Sequence, residues 1–340
     1  MDLVTGGTGF VGSHVVRALL AAGRAVRCLA RPASDPRMLA GLAVEIATGD
    51  LRDTGSLTPA LTDIDTVYHC AADYRLGVAH ARELFESNVS GTENLLREAA
   101  KACVRRVVYT SSVGALGLTR DLTPADESTP VSLDGVVGAY KRSKYEAERV
   151  AEAWAKQGLA VVIVNPSTPV GEGDWRPTPT GKIVVDFLNG RIPAYVDTGL
   201  NLVDVRDVAV GHLLAAERGM PGEKYILGNR NVTLLEMLSM LGGAAGLRPP
   251  RLRLPHFVPL AAALVDTSVS RLLGRTPRIS LEAVRMSTHH MYFSAAKAVR
   301  ELGLPQSPIE DALARAVAWY REQGYAPGGG QRTTGPASRA

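Results

Sequence analysis

The sequence predicts an α/β protein: a doubly wound parallel sheet followed by a smaller, mostly helical C-terminal part. Three observations lead there. Apolar strand patterns alternate with helical patterns through the first half of the chain, which calls for a parallel sheet covered by helices on both faces. The glycine-rich stretch TGGTGFVG, residues 5–12, stands directly between the first strand and the first helix. After Pro166 the alternation breaks into proline-rich loop and then mostly helix.

Taken in order, DLVT, AVRCLA, VEIATGD, TVYHCA, RVVYTSS and AVVIVNP read as strands. The helical segments between them include VVRALLAAG, ending at Gly23, and two long ones, Glu83 to Ala102 and Tyr140 to Gly158. In the second half, Thr233 with Glu236 and Ser307 with Pro308 and Glu310 each match a capping box at a helix start. YILGN is expected to return a strand to the sheet. Residues 1–165 therefore form the sheet domain and 166–326 a lid interleaved with it through roughly 200–230. Residues 327–340, with no apolar periodicity, form a disordered tail. There is no internal repeat.

Composition excludes several classes of function. A chain of 340 residues, 46% hydrophobic, can bury a large core. The net charge of +4 comes from arginines scattered among acids, and aromatics are only 5%, which argues against a nucleic-acid surface. No basic and apolar leader and no apolar run of about 18 residues is present, so neither export nor a membrane span is expected. Cys28, Cys70 and Cys103 lie in or beside apolar strands as small hydrophobes, which suits a reducing cytoplasm. His289 and His290 are adjacent rather than at metal-ligand spacing, so no metal site is expected.

Three constellations carry chemistry. Gly6, Gly9 and Gly12 allow close backbone approach just where a helix start offers free N–H groups and a positive dipole end, so a phosphate suits that place. With a second strand about 20 residues on, this is the pattern of a Rossmann-type dinucleotide site. YKRSK puts Tyr140 and Lys144 one turn apart on one helical face. An ammonium about 4 Å from a phenol, at an effective dielectric of about 20, contributes roughly 4 kcal/mol, enough to bring a tyrosine well down from about pH 10. Finally, RVVYTSSVGALG is a strand ending in hydroxyls, and ligands of parallel sheets bind at the carboxyl ends of strands.

A glycine-rich N-terminal turn, a strand-end serine and a later Tyr-x-x-x-Lys, in that order, resemble the extended short-chain dehydrogenase/reductase family, and the likeness covers nearly the whole chain. HCAADYRL, YTSSVGALG, VNPSTPVG, the PTPTGKIVV to VGHLLA stretch and KYILGN make it most similar to the group of hopanoid-associated sugar epimerases and dihydroflavonol reductases. The resemblance implies that Ser112, with Ser111 as the alternative, hydrogen-bonds the substrate oxygen and that Tyr140 exchanges its proton. It implies further that Lys144 tunes Tyr140 and holds the nicotinamide ribose, with Asn88 supporting the lysine. By the same resemblance the cofactor is held by Thr5, Gly6, Gly9, Phe10, Val11 and Gly12, by Asp50 and Leu51 at the adenine, by Ala71 and Ala72, and by the Pro166, Ser167, Thr168 loop. Homodimerisation through the two long helices is likewise the family's habit.

An NAD site has an acid about 20 residues past the glycines. Here that place holds Arg31, with Ser34 beside it, and a guanidinium suits a 2′-phosphate. NADP(H) is therefore preferred, with NAD(H) as the alternative if Arg31 lies in solvent or merely covers the adenine. Freely exchanged NADPH fits a net reductase better than an epimerase, and Val113-Gly114 after Ser112 lack the acids of the sugar dehydratases. The expected activity is an NADP(H)-dependent carbonyl reductase or alcohol dehydrogenase, with a sugar epimerase as the second reading and a non-catalytic dinucleotide sensor as the third. The substrate is a small-molecule or lipid-linked carbonyl or sugar, a hopanoid-linked sugar or polyol if the subgroup name holds. Pocket candidates are Tyr74, Trp175, Thr178, Tyr195 and Asn201, while LPHFVPLAAALV is expected to be lid core and Arg206 and Asp207 to anchor the lid.

Overall fold

The computed structural model describes residues 1–73, 81–119, 121–131, 138–272, 281, 284 and 287–326. The tail at 327–340 and Tyr74 lie outside the described residues. The strands are β1 (Asp2–Thr5), β2 (Val26–Ala30), β3 (Glu45–Thr48), β4 (Thr66–His69), β5 (Arg106–Thr110), β6 (Val161–Pro166), β7 (Thr168–Val170), β8 (Ala194–Tyr195), β9 (Gly199–Asp204), β10 (Lys224–Leu227), β11 (Arg230–Thr233), β12 (Leu252–Arg253) and β13 (His290–Met291). The helices are α1 (Phe10–Ala21), α2 (Thr54–Ala60), α3 (Ala81–Phe85), α4 (Gly91–Lys101), α5 (Ala139–Lys156), α6 (Pro179–Leu188), α7 (Val205–Arg218), α8 (Leu234–Ala245), α9 (Phe257–Leu272), α10 (Ala296–Leu302) and α11 (Ile309–Glu322).

Seven strands form one parallel sheet in the order β10-β6-β5-β4-β1-β2-β3. The chain order reverses between β1 and β4, and in such sheets the ligand crevice opens at that switch point. Because helices cover both faces, the central strands are apolar on both. In β5, Val107 and Tyr109 enter the core beneath Leu95, Leu96, Ala147 and Ala151, while Val108 enters the opposite core with Val15, Val16 and Leu19. YILGN does return to the sheet, as β10 beside β6.

The second half is less purely helical than its sequence suggests. A small sheet of β7, β9, β11 and β13 lies outside the main one, and β8 pairs with β12. These strands run two to six residues, too short for periodicity to register. A third core, including Phe187, Leu238, Leu241, Leu313, Val317 and Tyr320, joins α6, α8 and α11.

Some local expectations change. Thr233 and Glu236 form the capping box of α8, but Ser307 does not cap α11, because its N–H and hydroxyl are both given to Asp207 on α7. The expected helix from Glu83 is interrupted at Glu86–Ser90 by a π-helical turn that aims Asn88 inward. Cys28 is buried, but Cys103 is exposed in a left-handed turn after α4. The LPHFVPLAAALV segment is not lid core along its whole circumference, since α9 carries Phe257, Leu264 and Val265 in solvent.

Candidate active site

The glycine turn is built as its sequence implies. Gly6 has φ +70°, and a Cβ there would lie 2.6 Å from the Ala71 nitrogen. A Cβ at Gly12 would collide with the Gly6 carbonyl, so this glycine serves the packing of the turn itself. Gly9 begins α1 with no side-chain cap, and the first turn carries no acid. The leading N–H groups of α1 therefore present an uncompensated positive end where Gly9 is exposed and Phe10 and Val11 are half-buried. A nucleotide pyrophosphate fits this cradle.

Beneath the turn, hydrogen bonds tie the strand ends together. The Ala71 N–H donates to Thr5 Oγ1 (3.2 Å), which lies 2.7 Å from His69 Nδ1. His69 Nε2 lies 3.0 Å from Thr92 Oγ1, and Thr92 donates its own proton to the Asn88 carbonyl (2.6 Å). That last bond makes Thr92 the acceptor, so His69 carries its proton on Nε2 and accepts from Thr5. Burial, with Lys144 adding repulsion, pushes His69 down to about 3 and keeps it neutral. Asn88 is buried, grips the backbone of Asp73 with both ends of its amide and donates to Ser143 Oγ (3.0 Å). It thus holds α5 one residue before Lys144.

The carboxyl end of β5 meets the start of α5. Lys144 is buried, and its Nζ donates to the Thr110 carbonyl at 2.7 Å and lies 5.1 Å over the Tyr109 ring. Burial lowers the amine to about 8, against the opposing pull of Glu148 and Cys70. Tyr140 stands half-buried in the first turn of α5, behind Gly138 at φ +97°. Ser112 caps a single 3-10 turn, Val113–Ala115, accepting from the Gly114 N–H at 3.0 Å. That turn packs on α5, where a Cβ on Gly114 would touch the Lys141 side chain.

The two serines are sorted by their partners. Ser111 is buried and gives its proton to Glu148 Oε2 at 2.5 Å, while Ser112 is half-buried and its Oγ acts only as acceptor among the described residues. Glu148 was not singled out from the sequence, yet it is a hub. It lies fully buried one turn beyond Lys144, accepts from Asn165 Nδ2 (2.7 Å), and has Lys224 Nζ 2.6 Å from its other oxygen. Asn165 also donates to the Ser112 carbonyl (3.1 Å), so the hub holds the serine's backbone. Following the YKRSK face one turn further would have found it.

The remaining predicted residues divide into two groups. Asp50 is clamped by Arg52 through two hydrogen bonds (3.0 and 2.7 Å), and these hold its carboxyl below the usual range. Leu51 is buried against α4, where its carbonyl accepts from Asn94. Arg31 is exposed at the end of β2 and forms no ion pair with a described residue, and Ser34 turns back to its carbonyl. Ala71 and Ala72 end β4 beside Gly6, and Pro166, Ser167 and Thr168 join β6 to β7. These positions lie at or just past the carboxyl ends of β2, β3, β4 and β6.

Other residues proposed for the pocket are committed elsewhere. Thr178 caps α6 and donates to Asp174 (2.8 Å). Asn201 is buried and bonded to Asn231, Asn229 and the Phe293 carbonyl. Trp175 sits between Arg37 (4.4 Å over the ring), Trp319 and Tyr325, clasping the loop after β2 to the lid. Tyr195 is half-buried on β8. Arg206 pairs with Glu172 (2.7 Å) and Asp207 holds Ser307. Among the described residues there is no metal-ligand cluster, and no helix is long and apolar enough to cross a membrane.

Residues 3–228 match the NAD dependent epimerase/dehydratase family. The chain belongs to this family, the extended short-chain dehydrogenase/reductases. Within it, a Synechocystis protein provisionally named dihydroflavonol 4-reductase is 48% identical over 326 residues, 95% of each chain. Sterol demethylase protein B of Methylococcus capsulatus is 40% identical, covering 95% of this chain and 98% of its own. A solved structure of a Streptomyces venezuelae dTDP-glucose 4,6-dehydratase double mutant, with NAD bound, superposes at a TM-score of 0.76 with 29% identity over 96% and 98% of the two chains. The chain is thus an enzyme of the epimerase, dehydratase and reductase family, and a pyridine nucleotide is its cofactor class.

Proposed function

We propose that the protein is an NADP(H)-dependent carbonyl reductase, equally an alcohol dehydrogenase in reverse, acting on an apolar polycyclic or isoprenoid substrate such as a hopanoid-linked sugar or polyol. What supports this reading is that Lys144 bonds the Thr110 carbonyl at the end of β5, two residues before Ser112, that the turn after Ser112 packs on α5, whose first turn carries Tyr140, and that Ser112 has a hydroxyl left to donate. Ser111 has spent its proton on Glu148, whereas Ser112 accepts from Gly114 and retains its O–H for a substrate oxygen. Ser112 polarises the carbonyl, Tyr140 delivers a proton to its oxygen, and the Lys144 ammonium stabilises the phenolate left behind. Reduced nicotinamide, when bound, supplies the hydride to the carbonyl carbon. Residues 1–165 carry the nucleotide and 166–326 the substrate.

NADPH preference rests on Arg31, exposed just past β2 and in no ion pair with a described residue, its charge felt by Asp50, which Arg52 clamps. The substrate class is supported by the sterol named in the Methylococcus relative. The test is NADPH oxidation over a panel of sterol, isoprenoid and nucleotide-sugar ketones, with dissociation constants for NADPH and NADH measured beside it. Tighter NADH, or no change on Arg31→Ala, removes the NADPH preference. The family's description favours an epimerase as the second reading. Sugar interconversion without added cofactor, and no net NADPH oxidation, would establish it. Nucleotide binding with neither reaction leaves a dinucleotide sensor.

A further inference from the structure

Among the described residues of the substrate half, α9 and the segment leading into it carry an exposed apolar surface. Phe257 is 69% exposed, Val265 63%, Leu252 60%, Leu264 48% and Val269 38%. Phe257, Ala261, Leu264, Val265, Ser268 and Val269 are three or four apart along the helix and form one uncharged outward stripe, while Ala263 and Ser270 face the protein. The stripe amounts to roughly 400 Å², the size of patch that marks a functional surface on a single chain.

The approach to the helix has a second property. From Leu247 to Val265 the sequence LRPPRLRLPHFVPLAAALV contains no acid, and before α9 it exposes leucines and arginines together: Leu247, Arg248, Arg251, Leu252 and Arg253. Arg253 pairs with Asp197 (2.6 Å), whereas Arg248 and Arg251 form no ion pair with a described residue. Pairing of β12 with β8 lays this strap on the substrate half.

We propose that α9 and its basic strap dock the protein on an anionic lipid bilayer, with Phe257, Leu264 and Val265 in the interface and Arg248 and Arg251 against the headgroups. An apolar stripe flanked by arginine is the pattern of a helix lying in the membrane plane. Among the described residues no helix is long and apolar enough to cross a membrane, so α9 is placed on the bilayer surface. A second copy of the chain is the weaker occupant, because the patch offers about half of the roughly 800 Å² per partner of a standard interface, and a two-fold contact would bring like-charged arginines together. The closing stretch PGGGQRTTGPASRA has no large apolar side chain with which to cover it.

The test is co-sedimentation of the full chain with vesicles of phosphatidylcholine and phosphatidylglycerol, and with vesicles of phosphatidylcholine alone. The wild type binds the anionic vesicles more tightly. Phe257→Glu with Val265→Glu weakens that binding at least about tenfold, and Arg251→Glu about fivefold or more, since each basic residue near such a surface is worth about that factor. Thermal midpoints of both variants stay within a degree or two of wild type, because the altered side chains are exposed. The proposal is overturned if the wild type fails to sediment with anionic vesicles or the double variant binds as well. It is equally overturned if Val265→Glu instead abolishes a concentration-dependent dimer seen by analytical ultracentrifugation. Vesicle binding is read without turnover, so the result is independent of which reaction the site performs.

Discussion

Replacing Glu148 by glutamine removes one charge from the most connected buried carboxylate beside the site. Two of its contacts are donors, Ser111 Oγ at 2.5 Å and Asn165 Nδ2 at 2.7 Å, and Lys224 Nζ stands 2.6 Å from its second oxygen. Glutamine has one acceptor oxygen, so its amide protons must point either at the lysine or at Asn165, and one donor is left facing another. Breaking a buried ion pair from one side costs about 3–5 kcal/mol. Lys224 keeps Glu152 at 2.6 Å, which reduces the expected loss to about 2–3 kcal/mol. For a chain of this size that is a fall of roughly 3–4 °C in thermal midpoint, measured by circular dichroism. The same change removes the charge that raises Lys144, so the lysine, at about 8 in the wild type, titrates lower. Activity that needs the ammonium is lost as pH rises through that value, so the alkaline limb of the rate profile moves to lower pH. A variant that melts within a degree of wild type and keeps its alkaline limb would refute the account of Glu148 as a hub.

Other outcomes follow from the same structure. Tyr140→Phe removes the proposed proton donor and lowers kcat by about 10²–10⁴, with nucleotide affinity little changed by fluorescence titration. Gly6→Ala forces a side chain against Ala71 in a left-handed turn, and is expected to abolish nucleotide binding in a calorimeter while the far-ultraviolet spectrum stays native. Arg31→Ala weakens NADPH by about tenfold or more while leaving NADH unchanged, as read from the two dissociation constants. Stability also falls on acidification. His69 and His212 are pushed by burial to about 3 and about 4, below the value of 6.5 in an unfolded chain. Between about pH 6.5 and 3 the unfolded chain binds protons that the native state refuses, so urea midpoints should decline across that window, His212 ceasing to contribute near 4 and His69 near 3. Constant midpoints from pH 7 to 4.5 would show that the two rings accept protons in the folded protein.

Much of the site was legible because its chemistry is local. TGGTGFVG needed only the strand before it and the helix after it, and Tyr140 and Lys144 share a face by helical arithmetic. The six-strand reading and the returning YILGN strand followed from apolar runs that must be buried on both faces. What escaped were long-range commitments. Nothing near Thr178, Asn201 or Ser307 announces that their hydrogen bonds go to Asp174, to Asn231 and Phe293, and to Asp207. The short strands β7, β9, β11 and β13 form because each finds a partner, not because any has a strong preference of its own.

The sequence by itself determined the sheet, the phosphate-sized turn and the order of the side chains proposed to react, since periodicity and glycine sterics act between neighbours along the chain. Only the tertiary structure decided which serine keeps a proton to give, what Glu148 holds, and that the apolar face of α9 looks outward. Those depend on groups far apart in sequence meeting in a low-dielectric interior, where a buried donor or acceptor must find its partner or lose about 1–3 kcal/mol.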